Sequence, residues 1–130
     1  MIVVDASAAL EVLLRTPAAA TVDERLFATG HTLHAPHLID VEVAQVLRRY
    51  AATGETDPER CQAALADLAD LPLSRYPHDL LLPRVWDLRD NLTAYDAVYV
   101  ALAEALEAPL VTRDRRLASA PGHHARIELV

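Results

Sequence analysis

The chain of 130 residues has a formal net charge of −7, with 52% hydrophobic and 24% charged side chains. That length supports one domain (residues 1–130) with a real core, and the composition excludes disorder, low-complexity linkers and solenoid repeats. The apolar stretch from Ala97 to Val111 is broken by Glu104 and Glu107 and cannot span a bilayer, while the lone Cys61 cannot make an internal disulfide, so a reducing, cytoplasmic setting without membrane contact is expected.

Ile2, Val3 and Val4 read as a buried strand that ends directly at Asp5. The run is too short, and lacks the preceding basic region, for a signal peptide. Ala6 to about Arg15 reads as a helix, and Pro17 stands near the start of a second helix that ends by Gly30. An extended piece at 32–35 runs into Pro36. From His37 the spacing of Val43, Val46, Leu47 and Tyr50 predicts a helix, with Gly54 just past its last turn. Asp57 caps the next helix, which has Pro58 in its first turn and Leu65 and Leu68 on one face. Leu73–Tyr76 reads as a short strand, followed by a helix from about Asp79 to Asp90 that carries Pro83 in its first turn. Thr93 caps a helix through Glu107. Leu110–Thr112 reads as a strand, Arg115–Ala118 as a short helix and Arg126–Val130 as a closing strand. Strands alternating with helices along the whole chain predict an α/β fold with a mostly parallel central sheet between helices. In such sheets ligands bind beyond the carboxyl ends of the strands.

Four acids stand out by position. Asp5 ends the first strand, and Asp114 lies just past the strand ending at Thr112. Glu42 sits on the apolar helix start LIDVEVAQVL, and Asp96 in the first turn of TAYDAVYVALAEAL. Each has an ordinary structural role open to it. Asp96 and Glu42 suit the positive end of a helix dipole, and Asp114 suits a turn or a cap. Gathered at the strand ends, however, they repel. Two charges about 5 Å apart cost about 3 kcal/mol at an effective dielectric near 20, against a domain stability of about 5–15 kcal/mol. Protons or divalent cations relieve that repulsion. Oxygen-only ligation selects Mg²⁺ or Mn²⁺ over Zn²⁺, and such ions serve phosphodiester hydrolysis. Ser7 and Thr112 bring hydroxyls beside Asp5 and Asp114, suited either to orienting a carboxylate or to local cap bonds.

The segments MIVVDASA, DVEVAQVLRR, LTAYDAVYVALAEAL and LVTRDRRL resemble, in order and spacing, the PIN-domain ribonucleases, and in particular the VapC-type toxins of bacterial toxin–antitoxin pairs. The resemblance covers essentially the whole chain. TAYDAVYVALAE is its most specific element and LVTRD its strongest support. It implies a three-layer α/β/α sandwich and a Mg²⁺- or Mn²⁺-dependent endoribonuclease that inhibits growth. It implies Asp5, Glu42, Asp96 and Asp114 as catalytic and metal-binding acids, with Ser7 and Thr112 at the family's hydroxyl positions. It further implies a homodimer, an RNA substrate and a VapB-type antitoxin that places a basic residue in the acidic pocket. Two positions depart from the pattern. Gln45 stands where many relatives carry Asn, three residues after the helix Glu, and Arg116 stands where some carry a further acid.

An acidic total argues against a general nucleic-acid-binding surface. All twelve basic residues are Arg, though, and Arg113, Arg115 and Arg116 cluster beside Asp114. They read either as a solvated face or as contacts to RNA phosphate. His31, His34 and His37 are spaced by three but flank Pro36 without a cysteine, a weak signal for metal. His123 and His124 read as solvated, and Trp86 and Tyr50 as core or dimer contacts. A strand ending in Asp also opens aspartyl-phosphate phosphatases and phospho-receiver domains. Those need a Lys to stabilise phosphate, and this chain has none. A silent binding module that kept the fold predicts a broken acid set, whereas all four acids are present.

Overall fold

The computed structural model describes all residues from Met1 to Val130. β-branched residues build the first strand, β1 (Ile2–Val4), and every one of them is buried. The chain continues through α1 (Ala6–Leu13), α2 (Ala19–Leu26), β2 (Leu33–Pro36), α3 (Leu38–Thr53), α4 (Pro58–Asp70) and β3 (Leu73–Tyr76). It ends with α5 (Leu82–Asp87), α6 (Ala94–Leu106), β4 (Leu110–Thr112), α7 (Arg115–Ser119) and β5 (Ile127–Leu129). The five strands form one all-parallel sheet in the order β3-β2-β1-β4-β5. Helices α1 to α4 pack on one another, and α6 lies against β1, β2 and β4 with α5 packed beside it. The result is the expected α/β/α sandwich.

Strand order reverses at β1, which has β2 on one side and β4 on the other. This is the topological switch point, where the connections leaving the two neighbouring strands diverge and open a crevice. The β1–β4 register pairs Val3 with Leu110 and Val4 with Val111, and the Asp5 N–H donates to the Val111 carbonyl. That register sets Asp5 level with Thr112. A cluster of 33 buried apolar residues runs through the sheet and its flanking helices, so the strand ends are held by packing rather than by the loops themselves.

Most element boundaries follow local chemistry. Gly54 ends α3 at φ 78°, a left-handed conformation that costs glycine little. Asp57 accepts from the Glu59 N–H, and Pro58 opens α4. Two expectations need correction. The helix read from Asp79 to Asp90 is a 3₁₀ turn at Asp79–Leu81 followed by α5, which stops at Asp87. The Pro83 ring would meet the carbonyl four residues back, so an α-helix cannot run unbroken through Asp79 and Pro83. On α4 the buried stripe is Cys61, Ala64 and Leu68, while Leu65 is 43% exposed. Of the two roles read for Trp86, core or dimer contact, its 67% exposure on α5 removes the first. No helix is long and apolar enough to cross a membrane.

Candidate active site

The carboxyl ends of β1 and β4 meet in a network built around Asp5. Asp5 is the N-cap of α1, and its Oδ1 accepts from the Ala8 N–H at 3.0 Å and from the Ser7 hydroxyl at 2.7 Å. Its Oδ2 accepts from the Thr112 hydroxyl at 2.6 Å. Thr112 is fully buried, and its Oγ1 also accepts from the Asp114 N–H at 3.0 Å. Ser7 Oγ accepts from the Arg113 N–H at 2.9 Å and lies 3.2 Å from Thr112 Oγ1. One aspartate, two hydroxyls and two backbone N–H groups of the β4–α7 turn thus tie the two strand ends together.

Asp5 is 6% exposed, and no basic side chain forms an ion pair with it. Burial pushes its carboxyl above the ordinary range, with the Asp114 charge adding to the push, although three hydrogen bonds oppose them. A cap and two hydroxyls therefore leave its charge only partly compensated.

Glu42 and Asp96 arrive from opposite helical layers. Glu42 lies in the second turn of α3, and its Oε1 accepts from the Tyr99 hydroxyl of α6 at 2.6 Å. Burial raises the Glu42 carboxyl as well, against the Tyr99 hydrogen bond, with the charges of Asp5 and Asp96 adding to the rise. Tyr99 itself is 2% exposed, and burial beside the Glu42 carboxylate raises its phenol so far that it stays a donor. The N-cap of α6 is Thr93, whose hydroxyl oxygen accepts from the Asp96 N–H. Asp114 is the N-cap of α7, its Oδ1 accepting from the N–H groups of Arg116 and Leu117. The structural roles open to Asp5, Asp96 and Asp114 are thus all realised, while the charges of Asp5 and Asp96 also act on Glu42 and that of Asp114 on Asp5.

Tyr99 is the participant that the sequence did not single out. It lies three residues after Asp96, on the same side of α6, where neighbours in the sequence share a face. A phenol within the small apolar run AVYVALA was the available signal. Gln45 is on the exposed part of α3, three residues after Glu42, and lines a cleft of about 600 Å³ between α1 and α3. Ser7, Glu42, Tyr95 and Arg113 open onto the same cleft.

The three arginines do not form one free patch. Arg113 hydrogen-bonds the Val130 carbonyl and lies 3.8 Å from Glu11. Arg115 is exposed and makes no ion pair. Arg116 turns inward to Asp96 and Asp114, at 2.8 and 3.5 Å. The histidine triplet is also dispersed. His34 is buried between the hydroxyls of Tyr76 and Thr32, at 2.6 and 2.7 Å, and burial holds its ring below the ordinary histidine range. His31 and His37 are exposed.

A divalent cation fits this donor set. Glu42 Oε2 and Asp96 Oδ1 have no protein hydrogen bond, and no buried polar side-chain atom lacks a partner, so the spare oxygens face solvent. No group of three or more His, Cys, Asp or Glu side chains is close enough together to hold a metal ion by itself, so the four acids do not form a ready-made ligand set. The arrangement suits an ion held by a few carboxylates and several waters, the habit of Mg²⁺, rather than one stripped of water by a protein cage.

The PIN domain profile matches residues 2–122. The chain is 46% identical over 129 residues to Ribonuclease VapC1 of Mycobacterium tuberculosis, covering 98% of this chain and 96% of that one. It is 44% identical over 130 residues to Ribonuclease VapC12 of the same organism, covering 100% and 99%. Among solved structures, VapBC2 of Rickettsia felis, crystallised with a DNA fragment from its promoter, superposes with a TM-score of 0.72 at 17% identity, over 99% of this chain and 98% of that chain. With the all-parallel sheet, the switch-point carboxylates and near full-length identity to two VapC proteins, this chain belongs to the PIN-domain family, among the VapC proteins.

Proposed function

We propose that this protein is a Mg²⁺- or Mn²⁺-dependent endoribonuclease, the growth-inhibiting toxin of a toxin–antitoxin pair. The observation that carries the reading is the shortage of positive charge at the switch point. There, burial raises both Asp5 and Glu42, with the Asp114 charge adding to the first and the Asp5 and Asp96 charges to the second. The VapC ribonucleases that match almost the whole chain support the substrate class.

Asp5, Glu42, Asp96 and Asp114 would hold the cation. When bound, it supplies water activation and charge neutralisation for phosphodiester hydrolysis. Ser7 and Thr112 fix both oxygens of Asp5, and Tyr99 fixes one oxygen of Glu42, leaving defined lone pairs toward the site. Gln45 extends the polar edge of the cleft beside Glu42, and Arg115, at the start of α7, is a guanidinium left free for an RNA phosphate. Attack by water rather than by the ribose 2′-hydroxyl leaves a 5′-phosphate and a 3′-hydroxyl. A VapB-type antitoxin as partner, a homodimer and a cytoplasmic setting belong to the same reading. The buried free thiol of Cys61 suits a reducing compartment.

The test is cleavage of total cellular RNA by the purified protein with Mg²⁺ or Mn²⁺, beside EDTA and Asp5→Asn controls. Discrete cuts with 5′-phosphate ends that need both metal and Asp5 are expected. Ends carrying a 2′,3′-cyclic phosphate would overturn the mechanism. Absence of both cleavage and metal binding would overturn the nuclease and favour a binding module.

A further inference from the structure

Arg116 is the one cation that touches any of the four acids. Its Nη2 lies 2.8 Å from Asp96 Oδ2 and 3.5 Å from Asp114 Oδ2, so a single nitrogen sits between carboxylates brought from α6 and from the β4–α7 turn. The local fold aims it there. Asp114 caps α7, and its Oδ1 accepts the Arg116 N–H at 2.9 Å, so the same aspartate holds both the backbone and the head of Arg116. The guanidinium is otherwise open to solvent, its side chain being 65% exposed.

A Mg²⁺ ion bonds a carboxylate oxygen at about 2.0–2.1 Å, well inside the position of that nitrogen. An ion taking Asp96 through its free Oδ1 would lie beside the guanidinium held on Oδ2 and be repelled by it, and an ion taking Oδ2 would have to displace it. An exposed arginine can leave cheaply, because water takes over its hydrogen bonds.

We propose that Arg116 is a resident counter-ion that occupies the Asp96–Asp114 side of the site in the metal-free protein and must swing out before a divalent cation binds there. This inference rests on the metal-dependent reading above. It assigns Arg116 a gating role: the guanidinium steadies the empty site and sets metal affinity below what the four carboxylates alone would reach. It also explains why an arginine can stand two residues after Asp114 in an already acidic pocket.

The test is calorimetric titration of Mn²⁺ into the full chain, with melting temperatures in EDTA and in Mn²⁺. It compares wild type, Arg116→Ala and Arg48→Ala, the last removing an exposed charge that makes no ion pair. Arg116→Ala should bind Mn²⁺ roughly three- to tenfold tighter, as the loss of two exposed ion pairs predicts. It should also melt lower than wild type in EDTA and gain more from Mn²⁺. Arg48→Ala should bind as wild type does. Equal or weaker binding by Arg116→Ala, with wild type binding normally, would overturn the counter-ion alone. No Mn²⁺ binding by wild type or by Arg116→Ala would overturn the metal-dependent reading and the counter-ion with it. Binding by Arg116→Ala alone would support the counter-ion in its strongest form.

Discussion

Glu104 and Glu128 lie at the periphery, Asp5 and Glu42 at the carboxyl ends of the central strands, and the two pairs sit in opposite fields. Glu104 is forked by Arg84 at 2.8 and 3.0 Å and also accepts the His124 N–H. Glu128 is forked by Arg25 at 2.6 and 3.0 Å, with Arg126 at 3.2 Å. These arginines hold both carboxyls below the ordinary range. Asp5 receives three hydrogen bonds and Glu42 one, yet both are raised, because burial and neighbouring carboxylates outweigh neutral donors. The hydrogen bonds orient these two charges and offset part of their cost, but less than the arginine forks do for Glu104 and Glu128. The fold gives Glu104 and Glu128 their own arginines, whereas Arg116 is the one guanidinium that reaches any of Asp5, Glu42, Asp96 and Asp114.

The largest effect separating the two regions is on catalysis. Glu42→Gln keeps the Tyr99 hydrogen bond and the fold but should lower metal-dependent RNA cleavage at least about 100-fold, read on total RNA with circular dichroism as the folding control. Glu104→Gln should leave cleavage unchanged.

Next comes Thr112→Val, which removes the hydroxyl shared by Asp5, Ser7 and the Asp114 N–H in a fully buried position. It should lower the unfolding free energy by about 2–3 kcal/mol, measured by urea denaturation. A loss under about 0.5 kcal/mol would mean that the hydroxyl network does not hold the two strand ends.

Breaking a matched pair should cost less. Glu104→Gln keeps the shape but loses the charge facing Arg84, for a loss of about 1 kcal/mol at neutral pH. Tyr99→Phe should cost a similar amount, about 1 kcal/mol. It should also move the acidic limb of activity to higher pH, since the lost hydrogen bond favoured ionised Glu42.

The smallest and most discriminating effect is Asp5→Asn. Asn caps a helix as well as Asp does, and the raised Asp5 carboxyl favours folding only when protonated. In metal-free wild type that contribution is complete below the ordinary carboxylate value near 4 and is lost as pH rises through the raised folded value. Asp5→Asn should therefore be no less stable than wild type at pH 7, with any advantage closing toward about pH 4. The lowered Glu104 and Glu128 have the opposite sign, their stabilisation being present at neutral pH and lost as pH falls through their folded values. A metal-free Asp5→Asn protein clearly less stable than wild type at pH 7 would show that Asp5 is as well matched as Glu104.

Much of the sheet was legible because its signals are local. Ile2-Val3-Val4 and Leu110-Val111-Thr112 are short β-branched or aliphatic runs. Gly54, Asp57-Pro58 and Thr93 mark helix ends through backbone geometry that depends on the residue itself. The Asp79–Asp90 region misled because Pro83 does stand in the first turn of a helix, but that helix is α5, which starts at Leu82 behind a separate 3₁₀ turn. The i,i+3 spacing of Leu65 and Leu68 defined a face of α4 but not that only Leu68 is buried.

Alone, the sequence determined that acids follow two strands and occupy two helices. It also determined that alternating strands and helices build a parallel sheet, with two of those acids directly after its strands. Only the tertiary structure decided which oxygens those acids spend on their neighbours: Thr112 on Asp5 across 107 residues of chain, Tyr99 on Glu42 across 57. It alone set one of three clustered arginines, Arg116, onto Asp96 across 20 residues. The physical reason is range. Caps, turns and periodicity act within a few residues, whereas a buried carboxylate's energy is set by whichever donors and charges the fold brings within hydrogen-bonding distance.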